Sequence, residues 1–271
     1  SLFGDFPFFG SREPLLAGSE FLPENPDLPE KRINLKKRQP RGLDILHEDR
    51  DVIVVSKAAG LLTIGTGQDG ERTAHAALSN YFKKGNPKSR ERVFIVHRLD
   101  RDTSGVLVFA RTEEAKRTLQ GNWPDVEKTY LAFVEGHPDP PEGEISSYLI
   151  ENDALRVYST DDPKRGKFSR THYQVVKTGG DRALLKIRLI TGRKNQIRVH
   201  LADKGWPIVG DSKYGCANRN SKRMALHSHT LSFAHPYNGE PMSFTAPIPK
   251  TFHRMPSAAK SEGSGKRGRR R

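Results

Sequence analysis

Apolar residues in this chain fall into short runs separated by polar knots. "DILHEDRDVIVVSKAAG", from Asp44, alternates and then turns continuously apolar. That pattern predicts a strand, an acidic turn, a second strand and a glycine stop. "ERTAHAALSNYFKK" sets Ala74, Ala77, Leu78, Tyr81 and Phe82 at helical spacing. "TEEAKRTLQGNW" predicts a second helix, capped by Thr112 and acidic in its first turn. "KTYLAFVEG", "RTHYQVVKTG", "RALLKIRLITG", "HTLSFAHP" and "PMSFTAPIP" read as strands. "KNQIRVHLADKG" reads as a helix that starts near Lys194 and stops at Gly205. Many strands with few intervening helices predict an α+β fold rather than a doubly wound sheet.

The ends break this pattern. Residues 1–41 form an extension: the first thirty are acidic, with five Phe and five Pro, and "KRINLKKRQPR" then turns basic. The globular pattern occupies residues 42–255. Residues 256–271 carry six basic residues and one acidic residue, a composition expected to stay disordered and to grip RNA. No internal repeat is visible.

Charge narrows the function classes. The chain has 271 residues and a net charge of +14, with 46 Lys+Arg against 32 Asp+Glu, which favours a polyanionic partner. No run approaches the roughly 20 apolar residues of a membrane span, and the start does not resemble a signal peptide. A single cysteine, Cys216, excludes an internal disulfide and suits a reducing, cytoplasmic setting.

Two weaker motifs are set aside. "GTGQDG", Gly65 to Gly70, matches G-x-G-x-x-G, but the next strand, "RVFIV", ends in His97 and Arg98 rather than in an acid. A flexible loop explains it better than a dinucleotide site. His227, His229 and His235 in "LHSHTLSFAHP" have no Cys or carboxylate at ligand spacing, so they read as structural or RNA-contacting histidines, with no metal expected.

Two polar knots stand out. "VFIVHRLDRDTSGVLVFART" places "HRLDRDTSG" between the apolar runs Val93 to Val96 and Val106 to Ala110. Asp102, Ser104 and Gly105 account for a turn, but not for "HRLD" before it. Leu99 should anchor inward, sending Arg98 and Asp100 the other way. In the second, Arg193, Lys194, Asn195, Gln196, Arg198 and His200 crowd eight residues after a strand. From there Arg198 could reach a carboxylate on a neighbouring strand.

These blocks resemble the RluA-type pseudouridine synthases. "HRLDRDTSG" is similar to that family's HRLDxxTSG segment, and "TGRKNQIRVHLADKGWPIVGDSKYG" to its TGRxHQIRxH segment and the glycine-aspartate run beyond. "HEDRDVIVVSKAAGL", "KTYLAFVEG" and "LHSHTLSFAHP" fit the other blocks, in family order, over residues 42–250. Asn195 stands where the family usually has His, and Ala58 where it has Pro. The first 41 residues are too short and too Pro-rich for the RNA-binding module many relatives carry.

The resemblance implies a mixed, mostly antiparallel sheet in two halves around a central cleft. It implies isomerisation of uridine to pseudouridine in ribosomal or transfer RNA, by a monomer without cofactor or metal. Asp100 would be the catalytic carboxylate, adding to C1′ or taking the 2′ hydrogen; Arg198 would pair with it, and Tyr130 would stack on the uracil and assist proton removal from C5 late in the reaction. Arg98 would fill the space left by the extruded base, with Ile197 as an apolar wall. His97, Arg101, Lys57, Arg193 and Gln196 would hold phosphates or orient the loop. Replacing Arg198 with Ala is expected to spare folding and lower turnover. The competing readings are a non-catalytic RNA-binding protein with the same fold and a DNA- or ribosome-associated structural protein.

Overall fold

The computed structural model describes residues 39–65, 72–86, 88–215 and 223–253. The extension as far as residue 38, most of "GTGQDG", Cys216 and the tail from residue 254 lie outside the described residues.

In chain order the elements are β1 (Leu43–Glu48), β2 (Val52–Lys57), α1 (Ala74–Lys83), β3 (Phe94–Ile95), β4 (Ser104–Ala110), α2 (Glu113–Gly121), β5 (Glu127–Glu135), β6 (Glu142–Glu151), β7 (Val157–Thr160), β8 (Lys167–Gly179), β9 (Arg182–Leu189), α3 (Gln196–Asp203), β10 (Leu226–Ala234), β11 (Pro241–Thr245) and α4 (Lys250–His253). Strands run β1-β2-β4-β10-β5-β9-β8-β6-β7 across one sheet, with β3 beside β4 and β11 beside β10. Pairings are antiparallel except β4 with β10, which is parallel. The α+β expectation holds, and the parallel junction falls between the third and fourth strands of that order.

Alternation along the strands divides the core between the two faces. Ile53, Val55, Leu107, Phe109, Tyr130, Ala132, Leu185 and Ile187 pack on one face with Leu78 and Phe82 of α1 and Ile197 and Leu201 of α3. Val52, Val54, Val106, Val108 and Leu231 point to the other, under Ala115 and Leu119 of α2. The runs Val52 to Val55 of β2 and Val106 to Ala110 of β4 are therefore continuously apolar, because both faces are covered there. The predicted cap of α2 forms, with Thr112 Oγ1 accepting the Ala115 amide at 3.0 Å, and Thr73 Oγ1 caps α1 in the same way, accepting the Ala76 amide at 3.1 Å.

Three local readings change. The run from Val93 yields only the two-residue β3. The α3 helix starts at Gln196 rather than near Lys194, because Asn195 takes a left-handed conformation, φ +55°, and breaks the helical path. The β6–β7 hairpin carried no strand signal, since "EGEISSYLIE" has charged and small residues at most outward positions. It forms because eight residue pairs join β6 to β8 and its inner side packs on α3.

A buried polar chain ties that hairpin down. His200, fully buried, meets Thr171 Oγ1 through Nδ1 at 2.9 Å and Ser147 Oγ through Nε2 at 3.1 Å. Ser147 meets Ser159, which donates to Asp203. Burial pushes the pKa of His200 down to about 4, and burial beside His229 does the same for His227. Between pH 6.5 and about 4 the unfolded chain therefore binds protons that the folded chain refuses, so stability falls as pH falls through that window. Urea midpoints measured at successive pH values should decline across it, and a His200→Gln chain should decline less steeply.

Candidate active site

The loop from β3 to β4 carries Asp100 and is braced from several directions. Leu99 is buried, and its amide and carbonyl both bond Thr63 Oγ1, at 3.1 and 2.8 Å. The Arg101 carbonyl accepts the Gly60 amide at 2.8 Å and Lys57 Nζ at 3.1 Å. Ser104 Oγ lies 2.9 Å from His227 Nδ1. Gly105 sits at φ +111°, where an added Cβ would fall 1.9 Å from the Ser228 carbonyl oxygen, so no other residue fits. These contacts fix the loop to β2 and β10 together.

Across from the loop, Arg198 on α3 donates through Nη1 to Asp100 Oδ2 at 3.0 Å. The same guanidinium donates through Nε and Nη2 to both oxygens of Asp211, at 2.7 and 2.9 Å. Its Nη1 also reaches Asn195 Oδ1 at 3.1 Å, and its carbon lies 5.0 Å from the Tyr214 ring centre. Side-chain exposure falls from 26% for Asp100 to 13% for Arg198 and 1% for Asp211. The outer carboxylate is open to solvent, whereas the inner one is sealed.

Burial opposes the charges of Arg198 and Asp211, and pairing overrides it. The hydrogen bonds and charge of Asp211, then those of Asp100, raise the Arg198 pKa above that of a free guanidinium. Arg198 and two backbone amides hold Asp211 below the usual carboxylate range despite its burial. Tyr130, on β5, is buried in the same apolar cluster as Ile197. Burial, with Asp100 adding to it and Ser228 opposing it, pushes its phenol up to about 12, so the ring stays neutral and protonated. A fixed anion opposite a guanidinium, beside a phenol ring and an aliphatic wall, can stabilise positive charge developing on a sugar and hold a flat base.

The sequence model of the family described as RNA pseudouridylate synthase matches residues 51–203. Ribosomal large subunit pseudouridine synthase D of Xanthomonas campestris is 38% identical over 242 residues, 82% of this chain and 71% of that one. The dual-specificity RNA pseudouridine synthase RluA of Escherichia coli is 36% identical over 79% of this chain and 97% of its own. This chain belongs to the RNA pseudouridylate synthase family. Its activity is isomerisation of uridine in RNA. The solved human RNA pseudouridylate synthase domain containing 4 has a similar fold, with a TM-score of 0.64 at 26% identity over 77% of this chain and 90% of that one.

In this RNA pseudouridylate synthase the structure separates residues that the sequence grouped. Asp100, Arg198, Tyr130 and Ile197 share one face of the sheet. Arg98, Arg101 and Arg193 are exposed. Three expected RNA contacts turn inward instead. Lys57 is 1% exposed and donates to the carbonyls of Ala58, Leu61 and Arg101, so it orients the loop and is spent on backbone. Burial brings its pKa down to about 8, against the pull of Asp102 and Asp100. Gln196, 2% exposed, is saturated by Thr191, the Arg193 amide, the Arg170 carbonyl and Thr171. His97 accepts the Val108 amide and lies 4.4 Å from Trp123, and burial keeps it neutral with a pKa near 3.

Both departures from the family pattern have local reasons. Ala58 donates its amide to the Gly42 carbonyl at 2.9 Å, a bond that proline cannot make. Asn195 tolerates the left-handed turn, accepts from Arg198 and donates to Tyr214 Oη at 3.0 Å. The fold also brings His235 beside Asp49 and Asp51, but Asp49 already accepts two backbone amides and His47.

Asp211 is the site residue that sequence reading missed; "GDSKYG" marked only a glycine-aspartate run. It also overturns the expectation that losing Arg198 spares folding. A buried carboxylate would be left unpaired, at about 3–5 kcal/mol. Asp211→Asn is the milder probe: kcat should fall between about 10- and 100-fold while KM for RNA holds, because the guanidinium is misaimed rather than lost. Tyr130→Phe should leave the shape of the pH–rate profile unchanged between about pH 6 and about pH 9, since the phenol does not titrate there.

Proposed function

We propose that Asp100 is the catalytic carboxylate of this isomerase, lying beneath C1′ of a uridine drawn out of its RNA stack. The N1–C1′ bond breaks, the uracil turns, C5 joins C1′, and the C5 hydrogen leaves as N1 gains one. A carboxylate here serves either route, adding to C1′ or removing the 2′ hydrogen. Arg198 donates to it at 3.0 Å and fixes its position in the cleft. The observation that carries this reading is the loop that presents Asp100 at the edge of a sealed Arg198–Asp211 pair.

Neutral Tyr130 stacks on the uracil, and Ile197 backs the pocket. Arg98, exposed two residues before Asp100, enters the gap left by the extruded base. Arg101 and Arg193 meet phosphates. The catalytic domain spans residues 42–255 and works as a monomer without metal. The target RNA is ribosomal or transfer RNA; the name of the Xanthomonas relative, a ribosomal large subunit enzyme, is in keeping with the first.

Tritium release from RNA labelled at C5 of uridine tests the assignment. The native chain should release label, and Asp100→Ala should lower the rate by at least about 1,000-fold while RNA binding persists. Release at the native rate from Asp100→Ala would remove Asp100 from the chemistry.

A further inference from the structure

We propose that the hollow between the β6–β7 hairpin, the start of β8 and the turn before α3 docks the phosphate backbone of the RNA strand flanking the target uridine. The inference rests on the RNA-isomerase reading and adds a surface to it. The hollow has a volume of about 390 Å³ and is lined by Arg165, Lys167, Arg193 and Lys194 over Leu149 and Val157. Those four cations are exposed, whereas the two apolar residues are buried. Glu151 is the acidic residue in this lining, and it is already ion-paired with Lys194. Arg193 Nε reaches only the Phe168 carbonyl at 3.4 Å, and among the described residues no carboxylate pairs with Arg165, Lys167 or Arg193, which leaves a surplus of positive charge suited to a phosphate backbone.

Position strengthens the assignment. Leu149 and Val157 form a floor packed on Val199 and Tyr214, the side of the sheet that holds α3 and Arg198. Three cations surround the Tyr214 ring: Arg198 at 5.0 Å, Arg156 at 5.3 Å and Lys213 at 5.7 Å from its centre. Its hydroxyl takes the Val157 amide hydrogen at 3.1 Å and an Asn195 amide hydrogen at 3.0 Å. Positive charge therefore continues from the hollow to the guanidinium that touches Asp100, over one rigid ring. A strand held there would lead its next nucleotides towards the Asp100 loop.

A second arginine-lined hollow supplies the contrast. It has about 410 Å³ and is lined by Arg50, Arg90, Arg92 and Arg111. There Arg111 is committed to the Asp49 carbonyl and to Glu91, and Glu113 also lines the space. It lies by the Ala110 end of β4, whereas Asp100 precedes the Ser104 end, roughly 20 Å along the strand.

The test compares two double variants of the full chain carrying equal charge changes. Arg165→Glu with Lys167→Glu alters the proposed surface, and Arg90→Glu with Arg92→Glu alters the other hollow. The probes are unmodified transcripts of large-subunit ribosomal RNA and of transfer RNA, with binding measured across salt concentrations and tritium release followed in parallel. The first variant should bind about 10-fold or more weakly, lower the salt slope by about 1–2, and raise KM rather than lower kcat. The second should stay within about 3-fold of the native chain. Equal effects from both variants, or no effect from the first, overturn the proposal, as does a loss confined to kcat. Arg165→Gln with Lys167→Gln should give half the slope change or more with an unchanged melting curve, which separates a lost contact from a lost fold. If the native chain binds RNA but releases no tritium, the isomerase reading fails, while the docking surface is still decided by the binding comparison.

Discussion

One guanidinium shared by two carboxylates holds the site together. Arg198 gives two parallel bonds to Asp211, which is sealed from water, and one to Asp100, which is not. The bidentate bond fixes the plane and direction of the guanidinium, so its remaining nitrogen has one place to point. The inner acid supplies orientation and the outer one faces substrate. An arginine held by Asp100 alone would be free to leave with the solvent-facing carboxylate, and the geometry of the cleft would depend on a single bond.

The remainder of the fold supplies this pair with fixed supports. α3 carries Arg198 and is held by Gln196, His200 and an apolar face against β8, β6 and the central strands. The Asp100 loop is held from the other half by Thr63, Lys57 and the close approach of Gly105 to β10. Each side belongs to a different half of the sheet, and the parallel β4–β10 junction lies between them. The ion pair closes across that junction.

Much of this was legible in the chain. The covered strands, the Thr112 cap and the Asp100–Arg198 pairing follow from local patterns and block order, because those residues lie in dense, distinctive runs. What escaped depends on distant partners. β6 has weak strand character and forms through its pairing with β8. Lys57 and Gln196 look like surface polar residues in sequence, yet folding surrounds them with backbone acceptors and donors. Asp211 sits in an ordinary glycine-rich turn, and only the spatial approach of α3 reveals its partner.

The amide of Ala58 has a consequence for anyone who would stabilise this enzyme by averaging its relatives. Installing the commoner proline at that site would delete the hydrogen bond to Gly42 that closes the start of β1 onto the end of β2. Ring rigidity gained in the unfolded chain would be set against a missing strand-end tie beside Lys57, whose ammonium brackets the same turn. Consensus and fitness part company here, because the neighbourhood has already adapted to the exception.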